Sequence, residues 1–172
     1  MVKTIVLVGM MGSGKSSIGR QISKKTGLCY IDIDEEIEKK TKSKIKDIFK
    51  KKGEVYFRNI EEIICKKFIN GEKKIVSIGG GAFMNKNIRD IISKVGKSFW
   101  IDVNKDILFD RLKKSKNLRP LLDYSNLKKS IDDIIKERKS TYAKADVKIK
   151  VYKTNKENIA NKIIKLLWKK YM

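Results

Sequence analysis

The chain has 172 residues, of which 41% are hydrophobic and 36% are charged, and it contains a single proline. A chain of this length and composition can bury a core and is expected to form one compact domain instead of remaining disordered. It contains no histidine, which excludes Ser-His-Asp and Cys-His catalysis and removes the commonest general base.

The formal net charge is strongly positive, at +22. A basic patch can indicate a nucleic-acid partner. Here, however, the 42 lysines and arginines are spread along the chain, without a zinc finger or an aromatic-rich RNA motif. A lysine-rich surface that draws in anionic substrates is therefore favoured.

No apolar run approaches the ~18 residues of a membrane span, and the N-terminal run favours a strand over a targeting segment. We expect a cytoplasmic monomer that binds neither nucleic acid nor membranes.

Short apolar runs alternate with helical patterns along the whole chain. Strands are predicted at 4–9, 28–34, 74–80, 98–103 and 147–152. Helices are predicted at 15–26, 34–41, 44–51, 55–69, 86–94, 105–113, 127–143 and 156–170. This alternation predicts a parallel sheet covered by helices on both sides, which is an α/β layer fold.

Two local patterns concern the interior and the last helix. Cys29 and Cys65 lie in apolar stretches without the spacing of metal ligands, so reduced core thiols are expected. The last helix begins with "TNKE", a capping-box pattern in which Thr154 would cap the helix and Glu157 would reach back.

The stretch from Gly9 to Ser16, "GMMGSGKS", matches the phosphate-binding pattern G-x-x-x-x-G-K-[ST] in full. Glycines in such a loop let backbone N–H groups turn towards phosphates, and the following helix directs its positive end at them. Lys15 would neutralise the β- and γ-phosphates, and the Ser16 hydroxyl would take a Mg²⁺ position. A strand before the motif and a helix after it disfavour an ordinary glycine turn. The sequence predicts a nucleoside triphosphate site.

Asp32 and Asp34 stand two residues apart in "YIDIDEE", at the end of the second predicted strand. In an extended stretch they would share a face, near the sheet edge where α/β proteins bind ligands. Asp32 could hold the Mg²⁺ shell through water. Asp34 could accept a hydrogen bond from an acceptor hydroxyl, or it could cap the helix that starts "EEIEKK". A carboxylate here would suit a neutral polyol and repel a nucleoside monophosphate.

Two arginines stand beside or within predicted apolar stripes. Arg58 borders a stripe, with Glu61 one turn further on; the two could form an exposed ion pair worth about 0.2–0.5 kcal/mol, or Glu61 could fix a guanidinium that points into a pocket. Arg138 falls within the stripe of Ile131, Ile135 and Tyr142, although arginine is rarely buried without a partner. Two such rigid, bidentate groups suit a substrate carboxylate.

Two further segments stand out. Gly79, Gly80 and Gly81 follow the third strand; they could let backbone approach a ligand closely, or merely form a tight turn. The segment at about 113–125 is lysine-rich and contains Arg119 before the single proline. It could be a lid that closes and brings Arg119 to the transferring phosphoryl group, or a solvated loop.

In this order and at these spacings, the P-loop, "DID", "FKKKGEVYFRNIE", "GGGA" and "LRPLL" resemble the shikimate kinase family over essentially the whole chain. The resemblance implies ATP-dependent phosphorylation of the 3-hydroxyl of shikimate, on the route to chorismate and the aromatic amino acids. It also implies a nucleoside-monophosphate-kinase-like domain over 1–172, with a central five-stranded parallel sheet in the order 2-3-1-4-5. A substrate-binding region at about 33–62 and a mobile lid would complete this three-layer P-loop kinase fold.

The resemblance also implies roles for individual residues. ATP would be held by Gly12, Ser13, Gly14, Lys15, Ser16, Ser17, Arg111, Arg119 and Asn155. Mg²⁺ would be bound by Ser16 directly and by Asp32 through water. Shikimate would be bound by Asp34, Arg58, Gly79, Gly80, Gly81 and Arg138, with Glu61 orienting Arg58 from behind. Catalysis would rest on Lys15, Asp34 and Arg119.

Three other functions share part of this pattern. A gluconate kinase would have the P-loop and a hydroxyl acceptor, but it would not need paired arginines beside a triple glycine. A nucleoside monophosphate kinase would need positive groups where Asp34 stands. A P-loop ATPase acting on nucleic acid would not explain an arginine in the apolar stripe at Arg138.

Overall fold

The computed structural model of the protein describes residues 4–116, 118–152 and 155–168. This part of the chain contains five strands, all paired in parallel: β1 (Thr4–Val8), β2 (Cys29–Asp32), β3 (Lys74–Ser77), β4 (Gly96–Val103) and β5 (Val147–Val151). Their order across the sheet is β2-β3-β1-β4-β5, which confirms the predicted topology. Each strand lies close to its predicted position, with ends differing by a few residues.

The helices flank this sheet. They are α1 (Lys15–Thr26), α2 (Ile33–Thr41), α3 (Ile45–Phe68), α4 (Lys86–Val95), α5 (Lys105–Lys113), α6 (Leu127–Tyr142) and α7 (Lys156–Trp168), with a short 3-10 turn at Ala82–Met84. The main core lies between the helices and the sheet. Every residue of β1 is buried, because this central strand lies between β3 and β4 and is covered on both faces.

The prediction of two helices at 44–51 and 55–69 is confirmed in outline, because the helical backbone is interrupted between them. One element, α3, runs through both, but Gly53 has φ 78° and ψ 174° and interrupts the helical backbone. Glycine can adopt this left-handed φ without strain. Gly53 therefore separates two helical segments, and α3 continues on both sides of this kink.

The predicted lid segment is anchored by a second, smaller apolar cluster. Its buried members are Leu112, Leu122, Leu127 and Ile131. Leu112 also packs against the P-loop, since a Cβ added at Gly12 would lie 3.1 Å from its Cγ. The segment after α5 is therefore anchored through Leu122 to a cluster that contains Leu112 of α5 and two residues of α6.

The structure bears on two local predictions, of which the one for Cys29 is wrong. Cys65 is buried, but Cys29 is exposed at the start of the edge strand β2, so only one of the two free thiols belongs to the core. The start of α7 is capped by Asn155, whose Oδ1 accepts a hydrogen bond from Glu157 N at 3.0 Å; the side chain of Glu157 pairs with Lys25. Thr154, the predicted cap, lies outside the described residues.

Within the ranges that the structure describes, no helix is long and apolar enough to cross a membrane.

Candidate active site

The P-loop connects the carboxyl end of β1 to α1. Gly9, Gly12 and Gly14 have φ values of 138°, 75° and 91°, which L-residues with a Cβ rarely adopt. A Cβ at Gly9 would also lie only 2.7 Å from the carbonyl oxygen of Ile101 on β4. The glycine pattern of the sequence thus corresponds to a loop that must turn sharply while lying against a neighbouring strand.

Lys15, the first residue of α1, folds back onto this loop. Its Nζ donates hydrogen bonds to Gly9 O at 2.8 Å and Met10 O at 2.9 Å. Removal of the ammonium from water lowers the pKa of Lys15 to about 8, although the charges of Asp34 and Asp32 oppose this shift. The loop therefore holds a cationic group at the place where phosphates would lie.

Ser16 and Asp32 meet at the start of α1. Ser16 Oγ donates to Asp32 Oδ2 at 2.6 Å, so a hydroxyl and a carboxylate oxygen are adjacent beside the P-loop. These are the hard oxygen ligands that Mg²⁺ prefers, and Mg²⁺ usually keeps several waters and takes further ligands from substrate phosphates. Among the described residues there is no cluster of three or more histidine, cysteine or acidic side chains that could enclose a metal without such help. The residues present fit a magnesium ion shared with a nucleotide.

Asp34 does not lie in an extended stretch with Asp32, because β2 ends at Asp32 and Asp34 is in the first turn of α2. The cap of α2 is Asp32, whose Oδ1 accepts from Asp34 N at 3.1 Å; the prediction of Asp34 as a cap is wrong. Asp34 Oδ1 is shielded from solvent and has no hydrogen-bond partner in the described part of the chain. Burial and the nearby charge of Asp32 raise the pKa of Asp34. The remaining alternative is that Asp34 accepts a hydrogen bond from the hydroxyl of a ligand.

The Arg58 guanidinium is held from two sides by acidic residues of α3. Its Nη1 donates to Glu61 Oε2 at 2.7 Å, while Nε and Nη2 both donate to Glu54 Oε1, at 3.1 and 3.0 Å. Glu61 is buried, with 1% exposure, so the pair is not an exposed one. Burial raises the pKa of Glu61 to about 7 against the effect of Arg58. Glu54 was not predicted to take part, although its i, i+4 spacing from Arg58 is a signal for such a pair.

The three glycines after β3 each face an adjacent functional group. A Cβ at Gly79 would collide with Glu61 Oε1 and lie 3.1 Å from Asp34 Oδ1. A Cβ at Gly80 would lie 3.1 Å from the backbone nitrogen of Met11 in the P-loop, and one at Gly81 would collide with the Arg58 guanidinium. The triple glycine therefore leaves room for the P-loop and for the side chains of Glu61 and Arg58 to lie against this backbone.

Arg138 lies in α6 and is buried, with 6% exposure, as its place in an apolar stripe predicts. Its Nε and Nη1 have no hydrogen-bond partner within the ranges that the structure describes. Nη1 lies 3.7 Å from a Cβ built at Gly80. One turn further on, Tyr142 is buried and donates its hydroxyl to Gly80 O. Sequence reasoning assigned no site role to Tyr142, since this contact joins residues 62 positions apart.

Arg119 faces the same cleft from the segment after α5. Its backbone N–H donates to Tyr124 Oη at 2.9 Å, and its Nε is buried without a partner among the described residues. Its charge lowers the pKa of both Lys15 and Asp34 as a minor contribution. One cleft is lined by Asp34, Arg58, Glu61, Gly79, Gly80, Gly81, Arg119 and Arg138. The structure thus brings together all the residues predicted to bind the second substrate.

A separate groove lies on the outer side of the P-loop. It is lined by Gly12, Ser13, Gly14, Ser17, Ile18, Arg111, Lys156 and Ile159. Arg111 Nη1 donates to the carbonyl oxygens of Gly12 and Ser13, both at 3.2 Å, which places it beside the loop. Asn155 is not among the lining residues, because its side chain caps α7. Its neighbour Lys156 lines the groove. Sequence reasoning did not assign Lys156 to the nucleotide site, because nothing in its local pattern distinguishes it from the many other lysines of the chain.

A P-loop at the carboxyl edge of a parallel sheet, beside a cleft that combines guanidinium groups with a carboxylate, defines a P-loop kinase with a small-molecule acceptor. The family model for shikimate kinase matches residues 11–168. The chain is 38% identical over 164 residues to the shikimate kinase of Thermodesulfovibrio yellowstonii, covering 95% of this chain and 94% of the relative. It is 37% identical over 163 residues to that of Persephonella marina, covering 95% and 98%.

Solved structures give the same result. The shikimate kinase of Acinetobacter baumannii in complex with shikimate superposes with a TM-score of 0.94 at 30% identity, covering 99% of this chain and 95% of that one. The chain therefore belongs to the shikimate kinase family.

Proposed function

We propose that this protein transfers the γ-phosphoryl group of ATP to the 3-hydroxyl of shikimate, which gives shikimate 3-phosphate and ADP. The observation that carries the proposal is the cleft in which Arg58 and the buried Arg138 face the triple glycine beside Asp34. Arg138 Nε and Nη1 and Asp34 Oδ1 are buried without partners in the part of the chain that the structure describes. A ligand that carries both a carboxylate and hydroxyl groups would satisfy these donors and this acceptor.

In this mechanism the P-loop amides and Lys15 bind the ATP phosphates. Ser16 and, through water, Asp32 would hold Mg²⁺, which supplies positive charge that offsets the charge of the transferring phosphoryl group. On the outer side of the loop, Arg111 and Ser17 lie where the rest of the nucleotide would pass. Asn155, which the family resemblance assigns to ATP binding, directly precedes Lys156 of this groove.

The other substrate is positioned by its carboxylate. Arg58 and Arg138 would bind that group, Glu61 would keep Arg58 in place, and Gly79, Gly80 and Gly81 would let the ring approach the backbone. The hydroxyls would meet Asp34. Because burial raises the pKa of Asp34, its carboxylate is suited to accept the proton of the attacking hydroxyl. Closure of the segment at about 113–125 would bring Arg119 to the phosphates and exclude water.

We infer further that residues 1–172 act as one domain, with the substrate-binding region at about 33–62. The direct test is to follow ADP release by the purified protein with MgATP, with and without shikimate. Release that requires shikimate and saturates with it is the expected result. If a folded, ATP-binding protein shows no such dependence, the acceptor is wrong, and gluconate, nucleoside monophosphates and nucleic acid become the next acceptors to assay.

Replacing Arg119 with alanine should lower kcat by about 100-fold, since the arginine would act on charge that develops in the transition state. The KM values for ATP and shikimate should change much less. Lys116→Ala, an exposed lysine of the same segment, serves as the control and should leave turnover unchanged. An unaltered kcat for Arg119→Ala would remove this arginine from the mechanism.

Nucleotide binding should take up protons near pH 8. The pKa of Lys15 is lowered to about 8 in the free protein, and bound phosphates favour the charged ammonium and raise this pKa again. ADP affinity should therefore fall as the pH rises through about 8. Calorimetry at pH 8 in two buffers of different ionisation enthalpy measures the uptake. Lys15→Met should abolish it, and equal binding enthalpies in both buffers for the unsubstituted protein would contradict the prediction.

A further inference from the structure

Tyr30 is joined by a hydrogen bond to the carboxylate that we assign to the metal shell. Its hydroxyl donates to Asp32 Oδ2 at 2.9 Å, the same oxygen that accepts from Ser16 Oγ at 2.6 Å. Tyr30 and Asp32 are two residues apart on β2, so their side chains share a face of the strand. The two hydroxyls together occupy both acceptor positions of one carboxylate oxygen.

The ring of Tyr30 is held in this place by α1. It lies so close to Gly19 that a Cβ added there would collide with the ring edge. The Arg20 guanidinium lies 5.6 Å from the ring centroid, which is within the range of a cation–π contact. The phenol is half-buried. Gly19 therefore provides the space that lets the hydroxyl reach across α1 to Asp32.

Asp32 is in turn fixed at its other oxygen. Oδ1 accepts from Asp34 N at 3.1 Å and caps α2. Ser16 and Tyr30 donate hydrogen bonds to Oδ2, and the N-terminus of α2 donates one to Oδ1. The orientation of the Asp32 carboxylate is therefore fixed through both of its oxygens. Loss of one of these partners would leave the carboxylate less restrained at the place where it must meet a hydrated metal ion.

We propose that Tyr30 is a positioning residue for magnesium binding, which acts by orienting the Asp32 carboxylate towards the metal shell. Partners of this kind, one step removed from the metal, typically change metal affinity or activity by 10–100-fold when they are removed. The inference rests on the proposed metal role of Ser16 and Asp32. It is independent of the identity of the phosphoryl acceptor.

The test is to measure binding of Mn²⁺, used in place of Mg²⁺, to the complex of the whole protein with ADP, from the electron paramagnetic resonance signal of the free ion. Tyr30→Phe keeps the ring and removes only the hydroxyl. It should raise the dissociation constant of Mn²⁺ about 10-fold, while the affinity for ADP without metal, measured by calorimetry, stays unchanged. Tyr56→Phe, at a partly exposed tyrosine of α3, is the matched control and should change neither value.

Gly19→Ala gives an independent variant, since it keeps the hydroxyl but displaces the ring. Alanine is compatible with the helical backbone of α1, and it should weaken Mn²⁺ binding in the same direction. Unchanged Mn²⁺ affinity in Tyr30→Phe would overturn the inference, as would an equal loss of ADP affinity with and without metal. If the unsubstituted protein–ADP complex binds Mn²⁺ no more tightly than free ADP does, the metal assignment of Ser16 and Asp32 fails as well.

Discussion

Lys15→Met should lower kcat by about 1,000-fold, with the protein still folded. Lys15 is the cation that the P-loop holds by two backbone carbonyls, at 2.8 and 2.9 Å. In phosphoryl transfer the protein contributes mainly positioning and electrostatic stabilisation, and removal of one donor aimed at developing charge typically costs 100–1,000-fold, so about 1,000-fold is expected for a full charge. The measurement is steady-state turnover with saturating MgATP and shikimate.

Folding is not expected to suffer in this variant. Burial already disfavours the charged form of Lys15 and lowers its pKa to about 8, so an unbranched apolar side chain of similar length removes that cost. The thermal midpoint should stay the same or rise. Lys24→Met, at an exposed position of the same helix, controls for the change of charge and should retain full turnover. If Lys15→Met keeps turnover within about tenfold of the unsubstituted protein, the assignment of the loop as the catalytic phosphate site is wrong.

Arg138→Ala should lower kcat/KM for shikimate by about 1,000-fold and leave the KM for ATP nearly unchanged. Arg138 is buried and two of its nitrogens have no partner in the described ranges, so a carboxylate that binds there would meet a desolvated, rigid donor. Loss of one partner of a buried, hydrogen-bonded charge pair costs about 2–5 kcal/mol, and about 4 kcal/mol corresponds to this factor. Lys139→Ala, the exposed neighbour on α6, is the control.

A thermodynamic cycle that combines Arg138→Ala with a change in the substrate tests whether Arg138 interacts with the shikimate carboxylate. The carboxamide analogue of shikimate lacks the negative charge, so the unsubstituted protein should bind it poorly, and Arg138→Ala should cause little further loss with this analogue. Additive losses would show that Arg138 and the carboxylate do not interact. Equal losses for ATP and shikimate would mean that the substitution disturbs the whole site. Arg58→Ala should also weaken shikimate binding more than ATP binding, because both guanidinium groups face the same cleft.

Stability should respond differently from activity at Arg138. In the ligand-free protein the guanidinium is buried without full hydrogen bonding, and such groups are retained for function at the expense of stability. Removal of it is therefore expected to leave the thermal midpoint unchanged or higher, which differential scanning calorimetry checks.

Much of this protein follows from short-range patterns. The apolar runs and helical periodicities give the strand and helix order because burial of one face or both imposes a period on the sequence. The P-loop is identified from eight consecutive residues, Gly9 to Ser16, since its function depends on backbone conformation within a single loop. Arg138 is recognised as unusual because a charged side chain interrupts an apolar stripe.

The tertiary structure decides contacts between distant segments. The period-two spacing of β2 hints that Tyr30 and Asp32 share a face, but only the position of α1 shows that the hydroxyl reaches the carboxylate. The choice of Asp32 and not Asp34 as the cap of α2 depends on where the strand ends. Lys156 lines the groove on the outer side of the P-loop because α7 packs beside α1.

The sequence by itself therefore determined the fold class, the phosphate loop and the residue types of the acceptor site, because each of these depends on local spacing and composition. Only the tertiary structure decided that Asp32 caps α2, that Asp34 Oδ1 has no partner among the described residues, and that the three glycines lie against Glu61, Asp34 and Arg58. The physical reason is that hydrogen-bond satisfaction and steric clearance are properties of groups that meet in space, and residues such as Gly80 and Tyr142 meet across 62 positions of chain.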